Sequence, residues 1–274
     1  MKITKTEIID EIDFHTECIQ YSESKGHRGG YDDFEHLARC ELLLGNIKKA
    51  RDYFEESDKS WEYYLKHNEK YIRERWTPRD HLSYYRRRIP VIFLAYGKDK
   101  AIEFVKQNLK DIESRWNEFY NQMEKSAKKA EEGPKVFSEE IVYHCIPMFY
   151  TYLLLNDRES LMKIVEDVNK RFEKYGKTWK RGKKEYPTFL VAKLKADIVK
   201  AIVEKDRKEF CSKVRELSNL REELLKGDYQ PSDFADPELI LYLEVARQTW
   251  PDVKVESSLI PEKLREKSYF ELIR

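Results

Sequence analysis

Residues 42–54 read LLLGNIKKARDYF: an apolar helix end, a glycine turn at Gly45, and the start of an amphipathic helix. The same joint returns as FLAYGKDKAIEFV (93–105), YLLLNDRESLMKIV (152–165) and AIVEKDRKEFCSKV (201–214). Gly97, Asn156 and Lys205–Asp206 stand at those turns, and aligning Ala50, Ala101, Leu161 and Phe210 spaces the joints 51, 60 and 49 residues apart. Self-similarity at such a period marks stacked helical hairpins, because one hairpin cannot bury its apolar face alone.

Outward from the joints, periodicity predicts a first helix over 4–22, capped by Thr4 or Thr6, with Ile8, Ile12 and Ile19 on one stripe. The stretch SESKGHRGG (22–30) breaks it with three glycines. Hairpins follow over 31–44 with 46–76, 79–96 with 98–131, 138–155 with 157–175, and 187–204 with 206–226. A last helix spans 236–249. Thr77–Pro78 and Gly133–Pro134 are breaks, since the residue before proline leaves the helical region. No segment alternates with period two. The expected fold is therefore all-α, an irregular TPR-like α-solenoid of about ten helices in antiparallel hairpins. It reads as one domain over 1–274: an N-terminal helix and loop (1–30), four hairpins (31–226) and a C-terminal cap (227–274).

Leu44–Gly45 followed by Ala50 and Phe54 resembles the turn and second-helix positions of tetratricopeptide repeats. The resemblance covers 31–226 as an architecture and 42–54 as a motif, and it implies a protein-binding scaffold. At the C-terminus, KDRKEFCSKVRELSNLREEL (205–224), DPELILYLEVA (236–246) and VKVESSLIPEKL (253–264) together resemble the tail of all-helical immunity proteins that neutralise bacterial polymorphic toxins. That resemblance implies a toxin as partner.

Lys and Arg number 52 against 51 Asp and Glu, so no global field draws the chain to nucleic acid. The N-terminus lacks the apolar core of a signal peptide, and no stretch is apolar enough for a bilayer. Four cysteines sit inside apolar helical patterns, which predicts reduced thiols and a cytoplasmic protein. No glycine-rich phosphate loop, GxSxG, HExxH or CxxC occurs, so the expectation is a non-catalytic protein without cofactor.

Three groups of residues stand out. His15, Cys18, His36 and Cys40 form H-x2-C-x17-H-x3-C, which suits a tetrahedral zinc site if helices fold back at 22–30. The favoured reading places the same four residues at the edge of an apolar core beside Ile12, Ile19, Leu37 and Leu44, with no metal. Second, Ile–Pro recurs inside two first helices, at 89–90 and 146–147, where it would free the carbonyls of Arg86 and Tyr143. If first helices line a concave face, Tyr84, Arg86, Arg87, Arg88, Tyr143, His144 and Tyr150 share a groove for an acidic surface or peptide. The plain alternative is that the prolines curve the helices around a core.

Third, 170–184 holds eight Lys or Arg against Glu173, interleaved with Phe172, Tyr175 and Trp179. Lys174, Trp179, Lys180 and Arg181 would meet an anionic partner, another protein before RNA or single-stranded DNA. A solvated helix end is the alternative. The long, aromatic-rich second helices over 46–76 and 98–131 also make a homodimer conceivable.

Overall fold

The computed structural model describes residues 3–129, 133–176, 180–181, 184–185, 188–224 and 230–273. The chain is all-α. In order it forms α1 (Lys5–Ser24), α2 (Tyr31–Leu43), α3 (Ile47–His67), α4 (Glu69–Arg75), α5 (Pro78–Tyr96), α6 (Lys98–Ala127) and α7 (Gly133–His144). Then come α8 (Ile146–Leu155), α9 (Arg158–Tyr175), α10 (Thr188–Glu204), α11 (Arg207–Leu224), α12 (Pro237–Thr249), α13 (Glu262–Glu266) and α14 (Tyr269–Leu272). A 3-10 turn, Pro231–Phe234, precedes α12, and Lys180–Arg181 pairs antiparallel with Lys184–Glu185 as a two-residue ladder. Among the described residues no helix is long and apolar enough to cross a membrane.

Each joint is built the same way. Gly45, Gly97, Asn156 and Lys205 all take positive φ, at 77, 91, 56 and 59°. In three joints the next residue closes a six-residue ring: Asn46 N–H donates to Glu41 C=O, Asp157 to Tyr152 and Asp206 to Ala201, each at 2.9 Å. This is the Schellman arrangement, which satisfies carbonyls left open at a helix end. The following helix then starts from a fixed point. Ala50, Ala101, Leu161 and Phe210 each donate N–H to the carbonyl four residues back, at Asn46, Gly97, Asp157 and Asp206. All four side chains are buried, as are Phe54, Val105, Val165 and Val214 one turn on. The period seen in the sequence is thus a repeated backbone reversal with a repeated buried stripe.

Two expected helices are divided. The run over 46–76 breaks at Asn68, whose N–H and side-chain amide both reach the Tyr64 carbonyl. The helix expected over 138–155 breaks at Cys145, so Pro147 begins α8 rather than bending a continuous helix. There the missing proline N–H falls in a first turn, where it has no helical partner to lose. Cys145 bridges the break, donating its N–H to Ile141 and its thiol to the Val142 carbonyl at 3.1 Å. Pro90, by contrast, lies inside α5, which continues through it. Helix ends match their caps: Thr4 and Glu7 make a reciprocal capping box on α1, and Thr77 and Asp80 do the same before α5.

Packing gathers the chain into two compact units: residues 1–75, 90–101 and 214–274 form the first, and 76–89 with 102–213 the second. In the first unit Tyr31 stacks on Trp61 with ring centres 3.5 Å apart, holding α2 to α3. The C-terminal segment is tied down by a buried pair. Arg247 donates to Glu244 at 2.6 Å and to the Leu264 and Lys267 carbonyls, while Glu244 accepts from Ser268 and Tyr269 N–H. In the second unit α9 packs on α7, α8 and α10, and Phe119, Phe149, Val165 and Phe189 are buried.

The turns carry a measurable cost. An added Cβ at Gly97 would meet only the Phe270 ring at 3.8 Å, so Gly97→Ala isolates the penalty of positive φ. It is expected to destabilise by about 1–2 kcal/mol, and Lys205→Gly to stabilise by about 1 kcal/mol, in urea unfolding.

Candidate partner-binding site

The sequence brought seven residues of α5, α7 and α8 together as a groove, and the structure separates them by burial. Arg86 does reach Tyr143, its guanidinium 4.4 Å above the ring, and Arg86, Arg87 and Tyr143 stay partly exposed. Tyr84, Arg88, His144 and Tyr150 are buried and leave the partner-facing set. Arg88 points inward, hydrogen-bonded to the Tyr84 hydroxyl and 5.1 Å from the Phe104 ring centre. His144 lies edge-on to Phe119, with Nε2 at 3.4 Å from Glu140. The reason is geometric: Tyr84 and Arg88 are one turn apart and share the inward face. Of the aromatics on the two long runs considered for self-association, Trp61, Trp116 and Phe119 are buried, while Tyr63 and Tyr71 are exposed.

Burial has a titration consequence. It holds the imidazoles of His81 and His144 below their ordinary value of 6.5. The folded chain therefore stays neutral at these sites while the unfolded chain takes up protons as pH falls below about 6.5. Where the unfolded state binds more protons, acid destabilises. The urea midpoint is expected to fall between pH 7 and pH 5.5, and less so for His144→Asn.

The basic stretch resolves differently. Trp179 lies outside the described residues, and Lys180 and Arg181 are described only as backbone, opposite Glu185 and Lys184. Lys174 is exposed on the last turn of α9, its ammonium 5.0 Å from the Tyr175 ring centre. It lines a cleft of about 340 Å³ between the end of α6, the start of α7 and α9. Arg171 forms the floor. Its guanidinium donates to Tyr120 OH at 2.7 Å, Glu124 at 2.6 Å, Asp167 at 2.8 Å and Ser138 at 3.2 Å. Burial works against its charge, but the bonds to Asp167 and Glu124 raise its pKa above the ordinary arginine value. Lys128, Lys170 and Lys174 line the same cleft, are exposed, and have no carboxylate partner among the described residues.

Sequence reasoning took 170–184 as one run of cations and missed this division of labour. The usable signal was Asp167–Arg171, an i,i+4 pair at the start of the run. Arg171 is structural here, whereas its lysine neighbours are free to act. Arg171→Met is expected to cost about 1–3 kcal/mol, because it removes charged hydrogen bonds to two part-exposed carboxylates, while Lys170→Ala should stay within about 0.5 kcal/mol. Equilibrium urea unfolding distinguishes the two.

The His/Cys quartet is rearranged as well. His15 and His36 stack with ring centres 4.4 Å apart, and the groups gathered round them are Glu11 and Asp33 rather than the cysteines. Burial pushes the Cys40 thiol far up, helped by the neighbouring Glu11 carboxylate. Glu11 is itself pushed up by burial, but hydrogen bonds from His36 and Ser232 bring its carboxyl below the ordinary carboxylate value.

No protein family, curated protein or solved structure matches the chain.

Proposed function

We propose that the chain is a non-catalytic helical-repeat scaffold of the tetratricopeptide-like kind, which binds an acidic segment of another protein at the cleft between α6, α7 and α9. One observation carries this reading. Three exposed lysines surround a cleft whose two acids, Glu124 and Asp167, are both bonded to Arg171, so the lysines keep no carboxylate partner among the described residues. Such a rim speeds encounter and sets orientation, and its strength falls with salt over the Debye length of about 8–10 Å. The left-handed turn that recurs at all four joints, with α2 packed on α3 and α8 on α9, supports the helical-repeat part of the reading. In the immunity-type version of the same function, the acidic segment belongs to a toxin.

The test uses a fluorescent poly-glutamate peptide and a single-stranded oligonucleotide of equal charge. Lys170→Glu with Lys174→Glu is expected to weaken peptide binding tenfold or more, with the urea midpoint unchanged. Peptide affinity untouched by this double charge reversal sinks the proposal. Tighter binding of the oligonucleotide, with a steep fall between 50 and 200 mM salt, would instead assign the cleft to nucleic acid.

A further inference from the structure

The first two helices of unit 1 bring two imidazoles and a carboxylate to one point. Glu11 and His15 stand one turn apart on α1, and His36 meets them from α2. One donor atom from each lies within 4.8 Å of the others. Glu11 is 9% exposed and His15 6%. We infer that Glu11, His15 and His36 bind one divalent transition-metal ion of the zinc class.

The orientation of His15 is the main support. Its Nδ1 lies 2.8 Å from Asp33 Oδ1, and an ionised carboxylate can only accept, so Nδ1 carries the hydrogen. That leaves Nε2 as the ring nitrogen open to a metal. It is buried without a hydrogen-bond partner, with Glu11 Oε1 3.8 Å away. A buried polar atom left unsatisfied is uncommon and needs an explanation. Metal-bound histidines show the same pattern, one ring nitrogen fixed by a carboxylate and the other on the ion.

Glu11 is prepared in a similar way. Ser232 N–H holds its Oε2 at 2.9 Å, which leaves Oε1 facing both rings, 3.8 Å from His15 Nε2 and 3.2 Å from His36 Nδ1. Two imidazole nitrogens with one carboxylate oxygen suit Zn²⁺ or Co²⁺, whereas Ca²⁺ and Mg²⁺ take oxygen donors. Cys18 and Cys40 do not join the donor set.

The rings lie within 11° of parallel, so one ion cannot lie in both ring planes, and His36 Nδ1 is engaged by Glu11 and Ser232. Loading the ion requires one ring to turn. His36 is the freer of the two, and turning it gives up the 2.7 Å bond to Ser232 Oγ. Metal binding and the histidine stack are therefore mutually exclusive states of the same residues.

The full chain, stripped with chelator and titrated with Zn²⁺ or Co²⁺, is expected to take up one ion. Zn²⁺ should shift the imidazole signals of two of its six histidines. His15→Gln should abolish uptake, and Asp33→Asn should weaken it about ten- to hundredfold. Exposed His27 and His67 serve as controls, since replacing both by Gln should leave uptake unchanged. No uptake by the folded wild-type chain overturns the inference. So does uptake that survives His15→Gln or disappears with His27 and His67. Should His15→Gln fail to fold, the wild-type signals and the surface controls decide.

Discussion

A helix can reverse tightly only if some residue leaves the right-handed region, and L side chains resist doing so by about 1–2 kcal/mol. That constraint governs the hairpins of this protein. Gly45 and Gly97 meet it without a Cβ, Asn156 with a short polar side chain, and Lys205 at full cost. Once the reversal is made, the phase of the next helix is no longer free. The residue four places beyond the cap carbonyl must face inward, and at all four joints it is buried. Turn geometry and hydrophobic pattern thus determine one another, the agreement between local and global preference that marks a foldable sequence.

Charge is handled by the opposite logic, through distant partners. With 38% of residues charged, most sit in water, and three of the inward-facing ones are held by several partners each. Arg171 has four acceptors, Glu244 three donors, and Arg247 three acceptors including two backbone carbonyls. Buried charges of this kind are costly to desolvate and more costly to orphan. The contrast gives the exposed lysines beside Arg171 their meaning, because a chain that satisfies these inward charges so fully leaves those three unmatched.

What the sequence disclosed follows the range of the interactions. The joints, Thr4 as one of two candidate caps and the end of the run at Trp76 rest on residues within a few positions, and all were legible. The breaks at Asn68 and Cys145 were not: Asn68 lies within an unbroken apolar periodicity, and isoleucine–proline reads alike at 89–90 and 146–147 although only the second stands at a helix start. Sites were harder still. Arg171 draws partners from 33, 47 and 51 positions away, and Glu11 takes its backbone donor from Ser232, 221 positions on. A search for histidine and cysteine at helical spacing found the right helices and two of the right residues. It missed the carboxylates because acids on so charged a helix are indistinguishable until burial singles one out.

The first unit is assembled from three stretches of chain, the last beginning at Val214, whereas the second is finished by Lys213. Synthesis runs at about 5–20 residues per second, so Ser232 emerges about 10–40 s after Glu11. During that interval α1 and α2 exist without the segment that holds Glu11 and His36 in place. The second unit can complete itself while the first waits with its apolar faces uncovered. Order of synthesis therefore assigns the aggregation risk to α1 and α2, and synthesis of residues 214–274 becomes the event that closes the first unit.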